Sequence, residues 1–181
     1  MAFTGRELSG AWNFRDVSEH TGIAPGRFFR ASELSKLDDD GRAAMSGYGI
    51  TDVADLRSLP ELEKHGRGLV PAGVDIHHLP FVETIATDDE APHEHAFQRM
   101  MTEKPADEAV ADAAARYMTE EYGRIASAPL AQKAVRQVVT LLGSDRRVLA
   151  HCFAGKDRTG IRPDSLMVAS IDTQTGDKIG R

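Results

Sequence analysis

Residues 148–160 read VLAHCFAGKDRTG and contain the one cysteine of the 181-residue chain. An apolar run that meets a glycine-containing turn and then Arg-Thr-Gly is the pattern of a buried strand leading through a loop into a helix near Thr159. Such a strand belongs inside a sheet with helices on its faces, and the rest of the chain supplies both. GRFFRAS, GITDVADL, VDIHHLPF and RRVLAHCF read as strands. Between the first two, SELSKLDDDGRAAMSGYG reads as a helix that stops at glycines. Val110, Ala113, Ala114, Tyr117, Glu121 and Ile125 follow helical spacing, which predicts an amphipathic helix over 106–126. A further helix starts at Ser127 with Pro129 near its first turn, carries Leu130, Ala134, Val138 and Leu141 on one face, and stops at Gly143. Strands alternating with helices predict an α/β fold built on a largely parallel sheet.

Length and an ordinary apolar fraction fit one globular domain spanning residues 1–181. One cysteine cannot form an internal disulfide, which suits a reducing compartment or export by a special route. MAFTGRELSG lacks the basic start and apolar core of a signal peptide, and no run approaches membrane-spanning length. A soluble protein is expected, cytoplasmic or exported without a signal peptide. The net charge is −6, but residues 83–121 hold eleven acids against three bases, so the acid is concentrated in one segment. Within it, ETIATDDEAPHEHAF reads as an acidic loop. No basic stripe and no aromatic-basic interleaving are present, which sets nucleic-acid binding aside.

The chemistry lies in the opening stretch. A loop between a strand and a helix leaves backbone N–H groups without carbonyl partners, and the helix adds the positive end of its dipole. Phe153, Ala154, Gly155 and Lys156 form that loop, which can therefore bind a tetrahedral oxyanion. Gly155 lets the backbone turn, and Arg158 can return a planar guanidinium to the same anion. The field that holds the anion also favours the Cys152 thiolate, placed for in-line attack on a bound phosphoryl group. Thr159 could hydrogen-bond the sulfur as it leaves the intermediate. A lone cysteine at a strand end is ordinarily an inert core residue. The joint pattern His-Cys-x-x-Gly-x-x-Arg-Thr-Gly reverses that, since average residue frequencies give it roughly one chance in a million per chain. A Walker A loop is excluded because Asp157 follows Lys156 where a Ser or Thr should stand. A persulfide-carrying sulfurtransferase also places a cysteine in an anion loop, with less need of the Arg and Thr.

Cys-(x)5-Arg-Thr resembles the signature of the protein tyrosine phosphatase superfamily, and HCFAGKDRTG is similar to its atypical bacterial branch. GAWNFRDV, FFRASELSKLDD, GITDVADLRS with Glu61, HLPF and RYMTEEY resemble that branch in the same order, over about residues 5–161. The resemblance implies a tyrosine-phosphatase-like fold, no metal or other cofactor, and phosphorylated proteins or phosphoinositides as partners. It implies Cys152 as nucleophile, Arg158 as phosphate clamp and Asp157 as general acid. The Trp-Pro-Asp device of other members is missing, since the one tryptophan is Trp12. Glu83, where the branch carries an aspartate near the site, is the second candidate acid.

Lys156 adds a compact charge suited to a second phosphate. Asp55 and Arg57 are expected to brace the loop as an ion pair. His151 is expected to hydrogen-bond backbone and favour the thiolate. Asn13, Arg15 and Asp16 read as a structural polar network. The resemblance further implies a lid over the site, placed at 83–126, whose acid would repel ligand until it opens. It also implies helices continuing well beyond the signature. The chain is thus expected to be C-terminally incomplete relative to the family, with residues 162–181 a short buttress and activity reduced. A non-catalytic phosphoanion-binding or remnant domain is the alternative function.

Overall fold

The computed structural model describes residues 7–18, 22–82, 109–156 and 158–160. Its elements run β1 (Arg15–Asp16), β2 (Phe28–Ala31), α1 (Asp39–Gly47), β3 (Asp52–Asp55), α2 (Leu59–His65), β4 (Asp75–His78), α3 (Val110–Ser127), α4 (Pro129–Gly143) and β5 (Val148–His151), followed by a 3-10 turn at Arg158–Gly160. The strands make one sheet in the order β1-β2-β5-β3-β4. β2, β5, β3 and β4 are parallel, while the two-residue β1 runs antiparallel on the edge. The fold is α/β, as the alternation of strands and helices predicts.

The last strand in sequence is central in space. β5 pairs with β2 on one side and β3 on the other, with Val148 opposite Phe28 and Asp52, and His151 opposite Ala31 and Asp55. All four of its residues are buried. The pleat sends them to two cores in turn. Leu149 joins Phe29, Ala31, Val53, Ala44 and Met45 on the α1 side. Val148, Ala150 and Cys152 join Phe28, Ala54, Leu56 and the Ala131, Ala134, Val138 stripe of α4 on the other. The thiol of Cys152 thus emerges on the α4 face by the same two-residue alternation.

One boundary differs from the sequence reading. The helix expected from Ser32 starts only at Asp39, capped by Asp38, whose side chain accepts from the Gly41 amide at 2.8 Å and from Ser9 at 2.6 Å. Tertiary contacts take the preceding segment instead: the Glu33 amide bonds the Phe153 carbonyl, and Leu34 and Leu37 are buried in core. The described residues after the loop end in a 3-10 turn at Arg158–Gly160, and the continuation of the helix expected from Thr159 lies outside them. The helix expected over 106–126 is found as α3, which meets α4 at Ala128, while Ile125 packs on the core. The C-terminal end of the expected lid region is therefore anchored to the domain. Residues 83–108 of that region and 161–181 of the tail lie outside the described residues. No helix among the described residues is long and apolar enough to cross a membrane.

Candidate active site

The loop after β5 leaves the C-terminal edge of the sheet, where the parallel strands end and where ligands of open α/β sheets bind. Cys152, at its base, is buried to 2% exposure. Each carbonyl of the next four residues is tied to the body of the protein. Phe153 O accepts from the Glu33 amide at 3.0 Å. Ala154 O and Gly155 O accept from Asn13 Nδ2 at 3.3 and 2.7 Å. Gly155 O also accepts from Arg30 Nε and Nη2 at 3.1 and 2.6 Å, and Lys156 O accepts from Arg30 Nη2 at 2.8 Å. No backbone bond among the described residues uses the N–H of Phe153, Ala154, Gly155 or Lys156. Successive unpaired donors with bonded carbonyls are what an anion-binding loop requires.

Gly155 holds φ at +61°, and a Cβ there would lie 2.3 Å from the carbonyl carbon and oxygen of Ala31 and 2.5 Å from the Ser32 nitrogen. Backbone rather than a flexible side chain opposes it, so the loop must move. Gly155→Ala is expected to destabilise the chain by about 3 kcal/mol, combining overpacking with the left-handed φ, or roughly 10 °C in a thermal melt. Gly73→Ala provides the control, because its φ of +87° is similar in kind and nothing lies within 4 Å of the added carbon. Equal losses at the two positions would show that backbone conformation alone, and not the close approach to β2, sets the cost.

Arg158 closes the loop. Its Nη1 and Nη2 donate to Oε2 and Oε1 of Glu61 at 2.6 and 2.7 Å, a fork-to-fork pair that fixes the guanidinium plane. Glu61 is held in turn by Ser58, whose amide and hydroxyl donate to Oε2 at 2.8 and 2.9 Å. Burial would raise the Glu61 carboxyl, but the Arg158 guanidinium and the Ser58 donors outweigh it and keep it below the usual carboxylate range. Ser58-Leu59-Pro60-Glu61 is a helix-capping arrangement, so local sequence places Glu61 at the start of α2. Its tertiary partner could not be read there.

Below the loop sits a buried charged network. Arg57 donates from Nε and Nη2 to Asp55 at 2.9 and 2.7 Å, from Nη2 to Gly66 O at 2.9 Å, and reaches Glu33 at 3.4 Å. These bonds join the end of β3, the end of α2 and the segment that holds Phe153, and they include the ion pair expected of Asp55 and Arg57. Burial opposes ionisation of Asp55, yet the Arg57 bonds lower it from its ordinary value. His151 Nδ1 lies 3.3 Å from the Cys152 carbonyl, the expected backbone contact. Its Nε2 is 3.5 Å from Asp55 Oδ1 without hydrogen-bond geometry. Complete burial lowers the His151 pKa against the pull of Asp55, so the imidazole is a neutral neighbour of Cys152.

The structure thus brings together Cys152, the loop Phe153–Lys156, Arg158, His151, Asp55 and Arg57. Thr159 is buried, and its hydroxyl has no partner among the described residues. With Arg158 it lines a cavity of about 40 Å³ alongside Phe28, Leu56 and Phe81. Phe153 packs against His65, with ring centroids 5.0 Å apart. Asp157 and Glu83, the two candidate acids, lie outside the described residues. Arg30 and Glu61 are the site residues that sequence reasoning did not assign. The polar network expected of Asn13, Arg15 and Asp16 is present. Asn13 holds the loop and Arg15 holds Asn13, while Asp16 caps the amides of Ser18 and Gly26 at 2.9 and 2.6 Å.

The tyrosine phosphatase family profile matches residues 6–169, a span that contains every element described above. The chain belongs to the tyrosine phosphatase family. It is 53% identical over 165 residues to the triple specificity protein phosphatase PtpB of Mycobacterium tuberculosis, an alignment covering 86% of this chain and 60% of that protein. The chain therefore spans 60% of the length of the relative it matches.

Proposed function

We propose that this chain is a cysteine-dependent phosphatase acting on phosphotyrosine, and with looser selectivity on phosphoserine, phosphothreonine and phosphoinositides. The observation that carries the reading is the loop itself: a buried thiol at its base, four carbonyls bonded away, four N–H groups without backbone partners among the described residues, and an oriented arginine at its end. The triple specificity named for the M. tuberculosis relative supports the breadth of substrate. In this mechanism the Cys152 thiolate attacks phosphorus in line, the bond to the leaving oxygen breaks, and that oxygen takes a proton from Asp157. Water then attacks the phosphocysteine, Asp157 takes a proton from it, and inorganic phosphate departs with the thiolate restored. Lys156 is exposed on the loop, and its compact charge suits a second phosphate such as one on an inositol ring.

The test is phosphate release from an aryl phosphate by the 181-residue chain. A chain that binds phosphate but releases none is a non-catalytic phosphoanion-binding domain, and the phosphatase reading is then wrong. The general acid is identified by leaving group. Asp157→Asn is expected to keep most activity on an activated aryl phosphate, whose leaving group needs no proton, and to lose about a hundredfold or more on a phosphoserine peptide. Glu83→Gln should show a smaller difference. The reverse ranking moves the acid to Glu83.

A further inference from the structure

We propose that Asn13 and Arg30 are positioning residues that lock the loop in its anion-binding form by holding the Ala154, Gly155 and Lys156 carbonyls outward; the inference rests on the phosphatase reading and deepens it. The problem they solve is created by Gly155. With no Cβ, glycine lets the peptide groups on either side of it rotate, and one rotation would turn a carbonyl into the cradle where it repels an anion. In this structure that rotation is opposed by three bonds on Gly155 O alone, from Asn13 Nδ2 at 2.7 Å and from Arg30 Nε and Nη2 at 3.1 and 2.6 Å. Arg30 Nη2 also holds Lys156 O at 2.8 Å, so one planar guanidinium spans two successive peptides.

The amide of Asn13 is itself oriented. Its Oδ1 accepts from Arg15 Nη1, which can only donate, so the NH2 group must be the side that faces the loop carbonyls. Asn13 further adopts φ +59°, a left-handed backbone that non-glycine residues rarely take and that asparagine tolerates best. A strained backbone, an amide fixed by Arg15 and a guanidinium from β2 all converge on the same peptides. None of these side chains lies in the signature itself. Their role is to pre-orient donors, so their loss should weaken the transition state, where charge on the phosphoryl oxygens is best matched by fixed N–H groups, more than it weakens ground-state phosphate.

The experiment uses the full chain and inorganic phosphate as probe, with Asn13→Gly and Arg30→Met as the main variants and Arg30→Lys as the conservative one. Glycine suits the left-handed φ, so Asn13→Gly removes the amide without adding strain, and its melting temperature should stay near the parent's. Each main variant is expected to bind phosphate about tenfold more weakly, to lose more in kcat/KM on an aryl phosphate than in phosphate affinity, and Arg30→Lys should recover part of both. Should Arg30→Met unfold, Asn13→Gly and Arg30→Lys carry the same comparison. Parent-like phosphate affinity in Asn13→Gly and in the folded Arg30 variant overturns the assignment. A parent that binds phosphate but turns over no substrate overturns the phosphatase reading alone, and the variants' affinities still decide the role of Asn13 and Arg30.

Discussion

Cys152→Ser is expected to abolish phosphate release from an aryl phosphate, by about ten-thousandfold or more, while phosphate binding stays near the parent's. A serine hydroxyl remains protonated at neutral pH, and among the described residues no base stands ready to activate it: the one histidine beside it is buried, neutral and turned to the Cys152 carbonyl. The substitution is nearly isosteric in a site that is 2% exposed and packed with Ala150 and the α4 stripe, so the loop should keep its shape. Binding retained with turnover lost is the signature of a nucleophile. Turnover close to the parent's would remove Cys152 from the proposed mechanism, and loss of binding as well would assign it to structure.

Arg158→Lys is expected to lower kcat on an aryl phosphate by roughly a thousandfold with a smaller change in KM. The guanidinium meets both oxygens of Glu61 at 2.6 and 2.7 Å, which fixes its plane at the end of the loop. An ammonium is a point charge and can neither satisfy both Glu61 oxygens nor grip two phosphoryl oxygens together. A rise confined to KM would make Arg158 an ordinary binding residue. Glu61→Gln should fall in the same direction by less, since the amide keeps one acceptor for the arginine but loses the charge. The lowered carboxyl of Glu61 also sets a pH sign. Its folded-state value is depressed, so its contribution to stability is complete above the ordinary carboxylate range and is lost as pH falls through the depressed value. Glu61→Gln should therefore remove part of the acid-side loss of stability that the parent shows in melts run at decreasing pH.

Much of the fold was legible because it is written at short range. Short apolar runs in FFRA and VLAH mark buried strands, whose successive residues serve two cores, and the i, i+4 stripe of Ala134 and Val138 marks the helix that covers one of them. The candidate loop was legible for the same reason: Cys152, Gly155, Arg158 and Thr159 lie within eight consecutive residues. Where sequence reading went astray, a distant contact had overruled a local preference. Ser32 to Asp38 has the composition of a helix start, yet the Glu33 amide is claimed by Phe153 and the two leucines by the core. The short β1 and α2 escaped notice because two residues have no period, and α2 declares itself only through the Ser58 and Glu61 cap.

By itself, the sequence determined an α/β chain with a thiol at the end of a buried strand and a glycine-containing candidate anion loop after it, since apolar runs, glycine and formal charge are properties of neighbouring residues. Only the tertiary structure decided which groups hold that loop in shape. Arg30 meets Gly155 across 125 positions, Asn13 across 142, and Glu61 meets Arg158 across 97. No local pattern can announce such pairings, because an arginine on a strand edge and a glutamate in a helix cap look the same whether they face water or a carbonyl. It is the insertion of β5 between β2 and β3 that brings them into range, and with them the constraint that turns a flexible glycine loop into a fixed set of donors.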